Sequence, residues 1–421
     1  MIKVVHVTAH LGGGIGRILS SIAIYSKSGC EFEHTIITLE ATQMSQFEEL
    51  CKNHGITVLL ASECDLNSII MQADIVQVDW WHHPLTTQFM VNCLSRIKCR
   101  LLIWSHISGC NYPAIPSRFV FLPDAFVFAT PFSYENPFWS EEERRQIIER
   151  SHVVVSSGID IDKPVKKKSH TSFNVGYIGF LGYSKTHPEF VKYCESVYDI
   201  PDIKFIVVGD TAYGEQLVKD AQASELIRDK MVFAGYSLNV LDNLAEFDVF
   251  GYPLNPDHTG TAENALLEAM GAGVVPVVLN QCAEKYLVQN MKTGLVVNGI
   301  SEYSQAIRWL YENPHKRLRL GNNASKFVIE EYHIRTTTNK INKVYDELMK
   351  SDKSFHDAAS VFGKTPYEWF LSCYMGDENN IRGTAFAETK GSAKHYLKYF
   401  NYDEKLRKVV EENESRVKAE L

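Results

Sequence analysis

The chain has 421 residues, of which 45% are hydrophobic and 22% are charged, and its formal net charge is −8. The length exceeds that of one ordinary core, so we expect two globular domains. The negative charge argues against a nucleic-acid partner, because phosphate contacts require clustered lysine and arginine. No apolar run is long enough for a transmembrane segment. The start MIKVVHVTAH resembles a buried strand rather than a signal peptide, which predicts a cytoplasmic protein, either free or peripheral at a membrane.

In chain order, the first third alternates buried-strand runs with helix-like stretches, as in IKVVHVT at 2–8 followed by GRILSSIAIYSK at 16–27. This is the rhythm of a parallel sheet covered by helices on both faces. A lysine-rich stretch at 160–172 predicts a linker, and a second series of strands and helices starts at 173. The pattern predicts an α/β protein with two doubly wound, Rossmann-like domains at 1–165 and 172–350, which face a ligand cleft.

Residues 351–421 are predicted to form a mostly helical C-terminal extension without a chemical motif. We expect its aromatic side chains to pack against the domains, or against another subunit of a homo-oligomer, rather than to bind a cofactor. The nine cysteines of the chain contain no CxxC pair, and their odd number argues against a closed disulfide framework. Reduced thiols are therefore expected.

A glycine loop, AHLGGGIGR at 9–17, follows the first strand and opens the first helix. Glycines let a ligand approach the backbone, and the free N–H groups around Gly14 and Gly16 attract anions or sugar hydroxyls. The dinucleotide fingerprint G-x-G-x-x-G fails, because Leu19 stands where the third glycine belongs. A dehydrogenase stays open as an alternative, since Glu40 ends a strand and could hold a ribose.

Strand ends facing the predicted cleft carry histidines. His82 and His83 follow VQVDWW, and we interpret them as core histidines, because no Cys, Asp or Glu lies around them at the spacing of a zinc site. His106 follows LLIWS and is the better functional candidate. Lys185 lies in the loop after a strand of the second domain, where an ammonium can meet phosphate. The alternative for Lys185 is a solvated surface lysine.

The stretch TGTAENALLEAMGAGVVPVVL at 259–279 reads as a loop, a helix and a strand, and it carries Glu263 and Glu268. With Gly260 or Thr261 as N-cap, Glu263 would lie in the first turn, where the helix dipole favours a carboxylate. Glu268 would lie about 140° further round the helix, among small residues that leave room for a ligand. The alternative is a surface glutamate at the helix edge.

Taken together, these pieces resemble the GT-B glycosyltransferases and, within them, the retaining GT4 family (glycosyl transferases group 1). The matching features are the glycine loop at 12–16, His106, VSSGID at 155–160, VGYIGFLGYSK at 175–185, MVFAGY at 231–236 and ENALLEAMGAGVVPVV at 263–278. The resemblance spans residues 1–350 and is strongest from 173 to 300. In that family the second domain holds a nucleotide-diphosphate sugar, and the first holds the acceptor.

The resemblance implies roles for individual residues. Glu268 would grip the nucleotide ribose, Lys185 would contact the diphosphate, and backbone groups around Gly235 would read the base. His106 would lie beside the transferred sugar, and Gly14 would lie under the donor phosphate and sugar. Glu268, Lys185 and His106 are thus the expected catalytic residues.

Two positions depart from the family pattern. The first glutamate of the family's E-x7-E motif is replaced by Gly260, and the arginine after the family's glycine is replaced by Phe180. These changes remove a usual partner of a sugar hydroxyl and a bidentate clamp on phosphate.

Five residues near the lost glutamate offer substitute contacts. Asp257, His258 and Glu263 could replace the carboxylate. Thr261 and Ala262 would offer N–H groups at the expected helix start, and so join Gly260, Glu263 and Glu268 in the expected donor site.

The mechanism that the resemblance implies is sugar transfer with retention, in which the leaving diphosphate helps to deprotonate the acceptor. Positive charge and N–H groups would stabilise the diphosphate, so neither a metal nor a cofactor besides the donor sugar nucleotide is expected. The acceptor class stays open among lipid, polysaccharide, protein and small molecule. The alternative function is that of a degenerate GT-B protein that binds or assembles without catalysis, which Gly260, Phe180 and the unassigned extension would favour.

Overall fold

The fold is that of a computed structural model, which describes residues 1–27, 29, 31–43, 45–381, 383–386 and 389–420. The chain forms two compact units, one of residues 1–156 with 337–421 and the other of residues 157–336. Each unit is built on one sheet. The strands of the first sheet are β1 Ile2–Thr8, β2 Phe32–Thr38, β3 Thr57–Leu60, β4 Ile75–Trp80, β5 Leu101–Ser105, β6 Ala125–Phe128 and β7 Ser151–Val153. Those of the second are β8 Phe173–Ile178, β9 Ile203–Val208, β10 Met231–Gly235, β11 Val249–Tyr252, β12 Val275–Leu279 and β13 Leu295–Val297.

Helices connect these strands and cover the sheets. The first helices are α1 Gly13–Lys27, α2 Gln46–Asn53, α3 Leu66–Gln72, α4 Pro84–Asn92, α5 Ser117–Val120 and α6 Glu141–Arg150. The second unit contains α7 Phe190–Glu195, α8 Glu215–Ala223, α9 Val240–Leu244, α10 Asn264–Gly271, α11 Glu284–Leu287, α12 Ile300–Glu312 and α13 Pro314–Glu331. The chain continues with α14 Ile334–Leu348, α15 Ala358–Phe362, α16 Pro366–Ser372, α17 Ala393–Tyr399 and α18 Glu404–Glu420.

Both sheets are doubly wound. The strand orders are β3-β2-β1-β4-β5-β6-β7 and β10-β9-β8-β11-β12-β13, and neighbouring strands are parallel. The predicted fold class, two Rossmann-like domains with a helical C-terminal part, is confirmed. The order reverses between β1 and β4 and between β8 and β11. In such sheets ligands bind beyond the carboxyl ends of the strands at this reversal.

The helical C-terminal part packs into the core of the first unit. The ring of Phe362 stacks on Trp80 with centroids 5.4 Å apart, and Tyr374 stacks on Tyr112 at the same distance. Because these rings join one continuous apolar core with the first sheet, the extension is a structural part of that unit.

The units divide the chain at other positions than the predicted domains 1–165, 172–350 and 351–421. The second unit ends at residue 336, and α14 carries the chain back to the first. There, Tyr345 packs against Phe32 with ring centroids 5.4 Å apart and donates its O–H to Gln77 Oε1 at 2.5 Å. The apolar stripe of α14 predicts that it packs on a domain but does not identify which one.

The lysine-rich stretch predicted as a linker packs on the second unit. Lys167 Nζ donates to the carbonyls of Leu244 (3.1 Å) and Phe247 (2.7 Å), at and just beyond the end of α9. Burial lowers the pKa of Lys167 to about 8. The ammonium therefore binds carbonyls at the end of α9 and in the segment after it, a role that composition does not reveal.

Two further sequence expectations concern helices and thiols. None of the helices in the described residues combines the length and apolar character that crossing a membrane requires. The cysteines within the described ranges are free thiols, whereas Cys30 lies outside those ranges.

An ion pair in the first unit joins Asp124 to His356, with 3.1 Å between Asp124 Oδ2 and His356 Nε2. Burial opposes the charged imidazolium, but the carboxylate of Asp124 outweighs burial and raises the pKa of His356 to about 10. Between pH 6.5 and 10 the folded protein thus binds a proton that the unfolded chain lacks. The stabilisation is complete below about pH 6.5 and is lost as the pH rises through 10.

We expect His356→Gln to lower the free energy of unfolding most below pH 6.5, with the gap to wild type closing by up to about 1.4 kcal/mol per pH unit towards pH 10. Denaturant titrations across this range measure the gap. The control is His315→Gln, since His315 is exposed and should follow the wild-type slope. A gap for His356→Gln that stays constant with pH would contradict the assignment.

Candidate functional site

The candidate site of the second unit lies at the carboxyl edge of its sheet, at the reversal between β8 and β11. The loop after β8 carries Lys185, and the loop after β11 runs through Gly260 to the start of α10. Because the carboxyl ends of parallel strands meet at one edge, the fold joins Lys185 to Glu263, a residue 78 positions further along the chain.

Lys185 and Glu263 form a two-point ion pair. Lys185 Nζ lies 2.6 Å from both carboxylate oxygens of Glu263, and the Tyr252 hydroxyl donates to Glu263 Oε2 at 2.9 Å. The Glu263 side chain is 2% exposed, whereas that of Lys185 is 22% exposed. The pair therefore has a buried carboxylate end and an ammonium end that reaches solvent, so the solvated-lysine alternative is wrong.

The charge of Glu263 is maintained by its neighbours. Burial alone would raise the pKa of Glu263, but the Lys185 ammonium outweighs burial and lowers that pKa. The carboxylate in turn adds to the effect of burial on Tyr252, whose pKa lies well above its usual value. At neutral pH the site thus holds an ionised carboxylate, a lysine ammonium and a neutral phenol.

The predicted capping role of Glu263 is wrong. Helix α10 begins at Asn264, and Glu263 occupies the N-cap position with φ 41° and without a side-chain capping hydrogen bond. Neither Gly260 nor Thr261 is the cap. The left-handed backbone turns the carboxylate towards Lys185, and the ion pair offsets the cost of that conformation, about 1–2 kcal/mol for an L-residue.

The loop before α10 places Glu263 in the space beside Gly260. A Cβ on Gly260 would collide with the Glu263 carboxylate and with the His258 ring. Position 260 therefore favours glycine, because the Glu263 carboxylate and the His258 ring occupy the space that a side chain would enter. Thr261 and Ala262 lie in this loop rather than at the helix start, as α10 begins only at residue 264.

His258 continues the buried polar group. The Gly260 N–H donates to His258 Nδ1 at 2.8 Å, so the ring proton is on Nε2, which donates to both Glu284 oxygens at 3.1 and 3.2 Å. Cys282 brings a third potential metal ligand close to this pair. In this tautomer neither ring nitrogen offers a free lone pair to a cation, so the geometry disfavours a metal here.

Glu268 lies within α10 and is 8% exposed, so the surface alternative proposed for it is wrong. The bulky residues Leu266, Leu267 and Met270 of this helix are fully buried. Gly235 ends β10 with φ 75°, and a Cβ there would meet nothing within 4 Å. The left-handed backbone, not packing, therefore requires glycine at 235.

The position of Phe180 carries an exposed aromatic pair. Phe180 is 45% exposed and Tyr213 is 64% exposed, and their ring centroids lie 5.4 Å apart with planes at 36°. These residues follow β8 and β9 at the carboxyl edge of the sheet. The position at which the resemblance implies an arginine thus presents apolar ring faces.

In the first unit, the glycine loop leads directly into α1. Gly13 has φ 57°, and Gly14 is exposed in the first turn. Gly16 is buried, and a Cβ there would lie 2.5 Å from the Leu11 carbonyl oxygen and 2.6 Å from the Phe47 ring. The absence of a side chain at Gly16 is therefore explained by close packing, a role that the ligand interpretation did not include.

The strand-end histidines of the first unit divide into two kinds. His82 and His83 are buried, as expected for core histidines. His106 follows β5, and its Nε2 lies 2.8 Å from Asp79 Oδ1. Asp79 lies on β4 and is fully buried, so a carboxylate beneath the sheet edge holds the histidine.

Glu40, the proposed ribose ligand of a dehydrogenase, binds other parts of the protein. It accepts a hydrogen bond from the Tyr399 hydroxyl at 2.8 Å and lies 3.3 Å from His83 Nε2. Burial would raise the pKa of Glu40, but hydrogen bonds from His83 and Tyr399 outweigh it and lower that pKa. Since the first helix also lacks the third fingerprint glycine, the dehydrogenase reading has no support at this edge.

Sequence reasoning missed Asp79. Its signal is present, because Gln77 and Asp79 are spaced by two in the strand IVQVDW, in which every residue is buried. Polar side chains on one face of a buried strand require partners and so indicate a polar group inside the core.

Comparison with known proteins supports the reading of the second unit. Residues 158–327 match the family model Glycosyl transferases group 1. No curated protein sequence matches the chain. HepE from Anabaena, solved with UDP and glucose, superposes with a TM-score of 0.62 at 14% identity, covering 82% of this chain and all of HepE.

Two further solved structures are similar. A glycosyltransferase from Rickettsia africae has a TM-score of 0.62 at 15% identity, covering 83% of this chain and 99% of its own. Sucrose-phosphate synthase from Thermosynechococcus elongatus has a TM-score of 0.61 at 12% identity, covering 83% and 100%. The chain has the GT-B fold. In this GT-B chain, the family match falls entirely within the second unit.

Proposed function

We propose that this GT-B protein is a retaining, metal-independent glycosyltransferase of the GT4 type that uses a nucleoside-diphosphate sugar. The family match over the second unit supports sugar transfer, and HepE, which shares the fold, was solved with UDP-glucose. The observation that carries the proposal is the joining of Lys185 and Glu263 at the strand-order reversal, where doubly wound sheets bind ligands.

In this proposal the donor lies along the carboxyl edge of the second sheet. Glu268 binds the ribose, the backbone at Gly235 reads the base, and Lys185 contacts the diphosphate. An ammonium has three N–H donors, so Lys185 can keep two for the Glu263 carboxylate and direct the third to phosphate. Glu263 then takes the place of the carboxylate missing at Gly260 and accepts a hydrogen bond from a hydroxyl of the donor sugar.

The chemistry requires stabilisation of the leaving diphosphate. Lys185 supplies positive potential there, and the departing phosphate oxygen takes the acceptor proton on the same face of the sugar. Retention follows, because the acceptor attacks from the side that the diphosphate leaves. No protein nucleophile is needed.

The test is a donor screen. Nucleoside diphosphates are tested for thermal stabilisation of the full chain, since a ligand at 100 times its Kd adds about 2.7 kcal/mol. Each nucleobase whose diphosphate stabilises the chain is then supplied as a sugar nucleotide with lipid, polysaccharide, protein and small-molecule acceptors. NMR determines the anomeric configuration of the product. The proposal is refuted if no nucleoside diphosphate stabilises the chain and no sugar nucleotide is cleaved.

A second candidate function is a degenerate GT-B protein that binds without catalysis. The specific observation in its favour is that the Lys185 ammonium is already neutralised by a buried carboxylate. Stabilisation by a nucleoside diphosphate with neither hydrolysis nor transfer of the matching sugar nucleotides would favour this function over the first.

We expect His106→Ala to lower turnover by about tenfold to a hundredfold, the value of one hydrogen bond to a charged group, while nucleotide affinity stays near wild type. The reason for this expectation is the predicted position of His106 beside the transferred sugar. Steady-state kinetics with calorimetric nucleotide binding make the comparison, and exposed His54→Ala serves as the control. Equal turnover in His106→Ala and wild type would remove His106 from the site.

A further inference from the structure

A buried polar group lies under the carboxyl edge of the first sheet. Its members are on adjacent strands, with His6 on β1, His34 on β2, and Gln77 and Asp79 on β4. His6, Gln77 and Asp79 are fully buried, and His34 is 5% exposed. A buried carboxylate is unfavourable unless it is hydrogen-bonded and paired, so the partners of Asp79 define what this group does.

One oxygen of Asp79 receives two donors. Asp79 Oδ1 lies 2.8 Å from His106 Nε2 and accepts from Gln77 Nε2 at 3.0 Å. The Gln77 amide is itself oriented, because its Oε1 accepts the Tyr345 hydroxyl at 2.5 Å. Tyr345, Gln77, Asp79 and His106 therefore form one chain of hydrogen bonds from α14 to the sheet edge.

The second oxygen faces two histidines. Asp79 Oδ2 lies 3.8 Å from His6 Nδ1, and His6 Nε2 lies 2.7 Å from His34 Nδ1. The favourable tautomers place a proton on His34 Nδ1, which donates to His6 Nε2, and a second on His6 Nδ1, which points at the carboxylate. The opposite assignment would bring a ring lone pair against Asp79. The described titratable groups that face Asp79 are thus His106, His6 with His34 behind it, and Tyr345.

We propose that Asp79 is a positioning residue that fixes the tautomer and ring orientation of His106 for the transfer reaction. Only the catalytic consequence of this inference rests on the proposed function. A carboxylate that accepts from Nε2–H selects that tautomer and sets the direction of the other ring nitrogen.

The negative charge of Asp79 contributes to the positioning of His106. Burial alone would raise the pKa of Asp79, but the hydrogen bond from His106 and the charges of His106 and His6 outweigh burial and lower that pKa. Asp79→Asn keeps the shape but removes the charge, and its amide group can either accept from or donate to His106 Nε2, so it should no longer select one ring tautomer.

The experiment is an NMR measurement of ring tautomers at alkaline pH in the full chain labelled with ¹³C,¹⁵N-histidine, in which the His106 signals are assigned by their loss in His106→Ala. We expect the Nε2–H tautomer in the wild type and a mixture of ring tautomers in Asp79→Asn. The double variant Gln77→Met/Tyr345→Phe keeps Asp79 but removes the competing donor to Oδ1. It should keep the Nε2–H tautomer of His106, a result that general damage to the fold would not produce.

The matched control is Asp124→Asn, which breaks another carboxylate–histidine pair of the first unit and should leave the ring tautomer of His106 unchanged. In kinetics, Asp79→Asn should lower kcat at least tenfold with an unchanged Kd for the nucleotide. An unchanged His106 tautomer in Asp79→Asn overturns the proposal whether or not the wild type transfers sugar. A changed tautomer with unchanged kcat also overturns the positioning role, while the absence of transfer by the wild type is a failure of the proposed function alone.

Discussion

Lys185→Ala is expected to lower the free energy of unfolding by about 3–5 kcal/mol at neutral pH, the usual effect of removing one partner of a buried ion pair. The variant would leave Glu263, whose side chain is 2% exposed, without the cation that holds both of its oxygens. Denaturant titration measures the loss. The loss should shrink at acidic pH, because burial then raises the pKa of Glu263 and the carboxyl takes up a proton.

The double variant Lys185→Ala/Glu263→Gln tests the physical reason. It removes both charges and should recover most of the lost stability. Lys192→Ala is the matched control, because its ion pair with Glu189 is 2.7 Å long but 64% and 45% exposed, and such pairs contribute below about 1 kcal/mol. Equal losses for Lys185→Ala and Lys192→Ala would show that the Lys185 pair is not effectively buried.

The same variant tests the contact with phosphate. Lys185→Ala should weaken binding of a nucleoside diphosphate much more than binding of the nucleoside, because the proposed ligand of the third N–H is a phosphate oxygen. Calorimetry compares the two ligands in both proteins. If the affinity difference between diphosphate and nucleoside is unchanged, Lys185 is a structural cation of the second unit only.

Glu268→Gln is expected to weaken every ribose-containing ligand by about tenfold to a hundredfold, because a charge-assisted hydrogen bond contributes about 1.5–3 kcal/mol. Nucleoside, nucleoside diphosphate and sugar nucleotide should lose affinity by the same factor, since they share the ribose. If Glu268→Gln binds all three ligands as tightly as the wild type does, the ribose assignment is ruled out.

Glu263→Gln is the matched comparison on the same segment. It should leave nucleoside affinity nearly intact and weaken the complete sugar nucleotide most, because Glu263 fills the space beside Gly260 and is proposed to accept from the donor sugar. A uniform loss across the three ligands would instead place Glu263 at the ribose. The two variants therefore separate the two acids by the part of the donor that each contacts.

The fold was accessible from the sequence because its signals are local. Buried runs such as IKVVHVT, alternating with amphipathic helices, specify parallel strands and their coverings without knowledge of distant contacts. The return of α14 to the first unit was not accessible. The choice depends on how Tyr345 fits against Phe32 and Gln77, which are more than 250 residues away along the chain.

The site shows the same division between local and distant information. Lys185, Glu263 and Glu268 could be selected from residue type and position at strand and helix ends. The ion pair could not, because Glu263 in an ordinary helical start would point along the helix, and only the left-handed backbone at φ 41° turns it to Lys185. Asp79 was missed because a single acid in a buried strand predicts a partner without naming it.

The division of the chain between the units has a consequence for biosynthesis. The second unit is continuous at 157–336, whereas the first is assembled from residues 1–156 and 337–421. During synthesis, at about 5–20 residues per second, the second unit can reach its native state while the first sheet still waits for α15 and α16, whose side chains complete its core. Residues 1–156 therefore cannot complete their core until residues 337–421 have been synthesised, and until then the apolar surface that these later residues cover is exposed in the nascent chain.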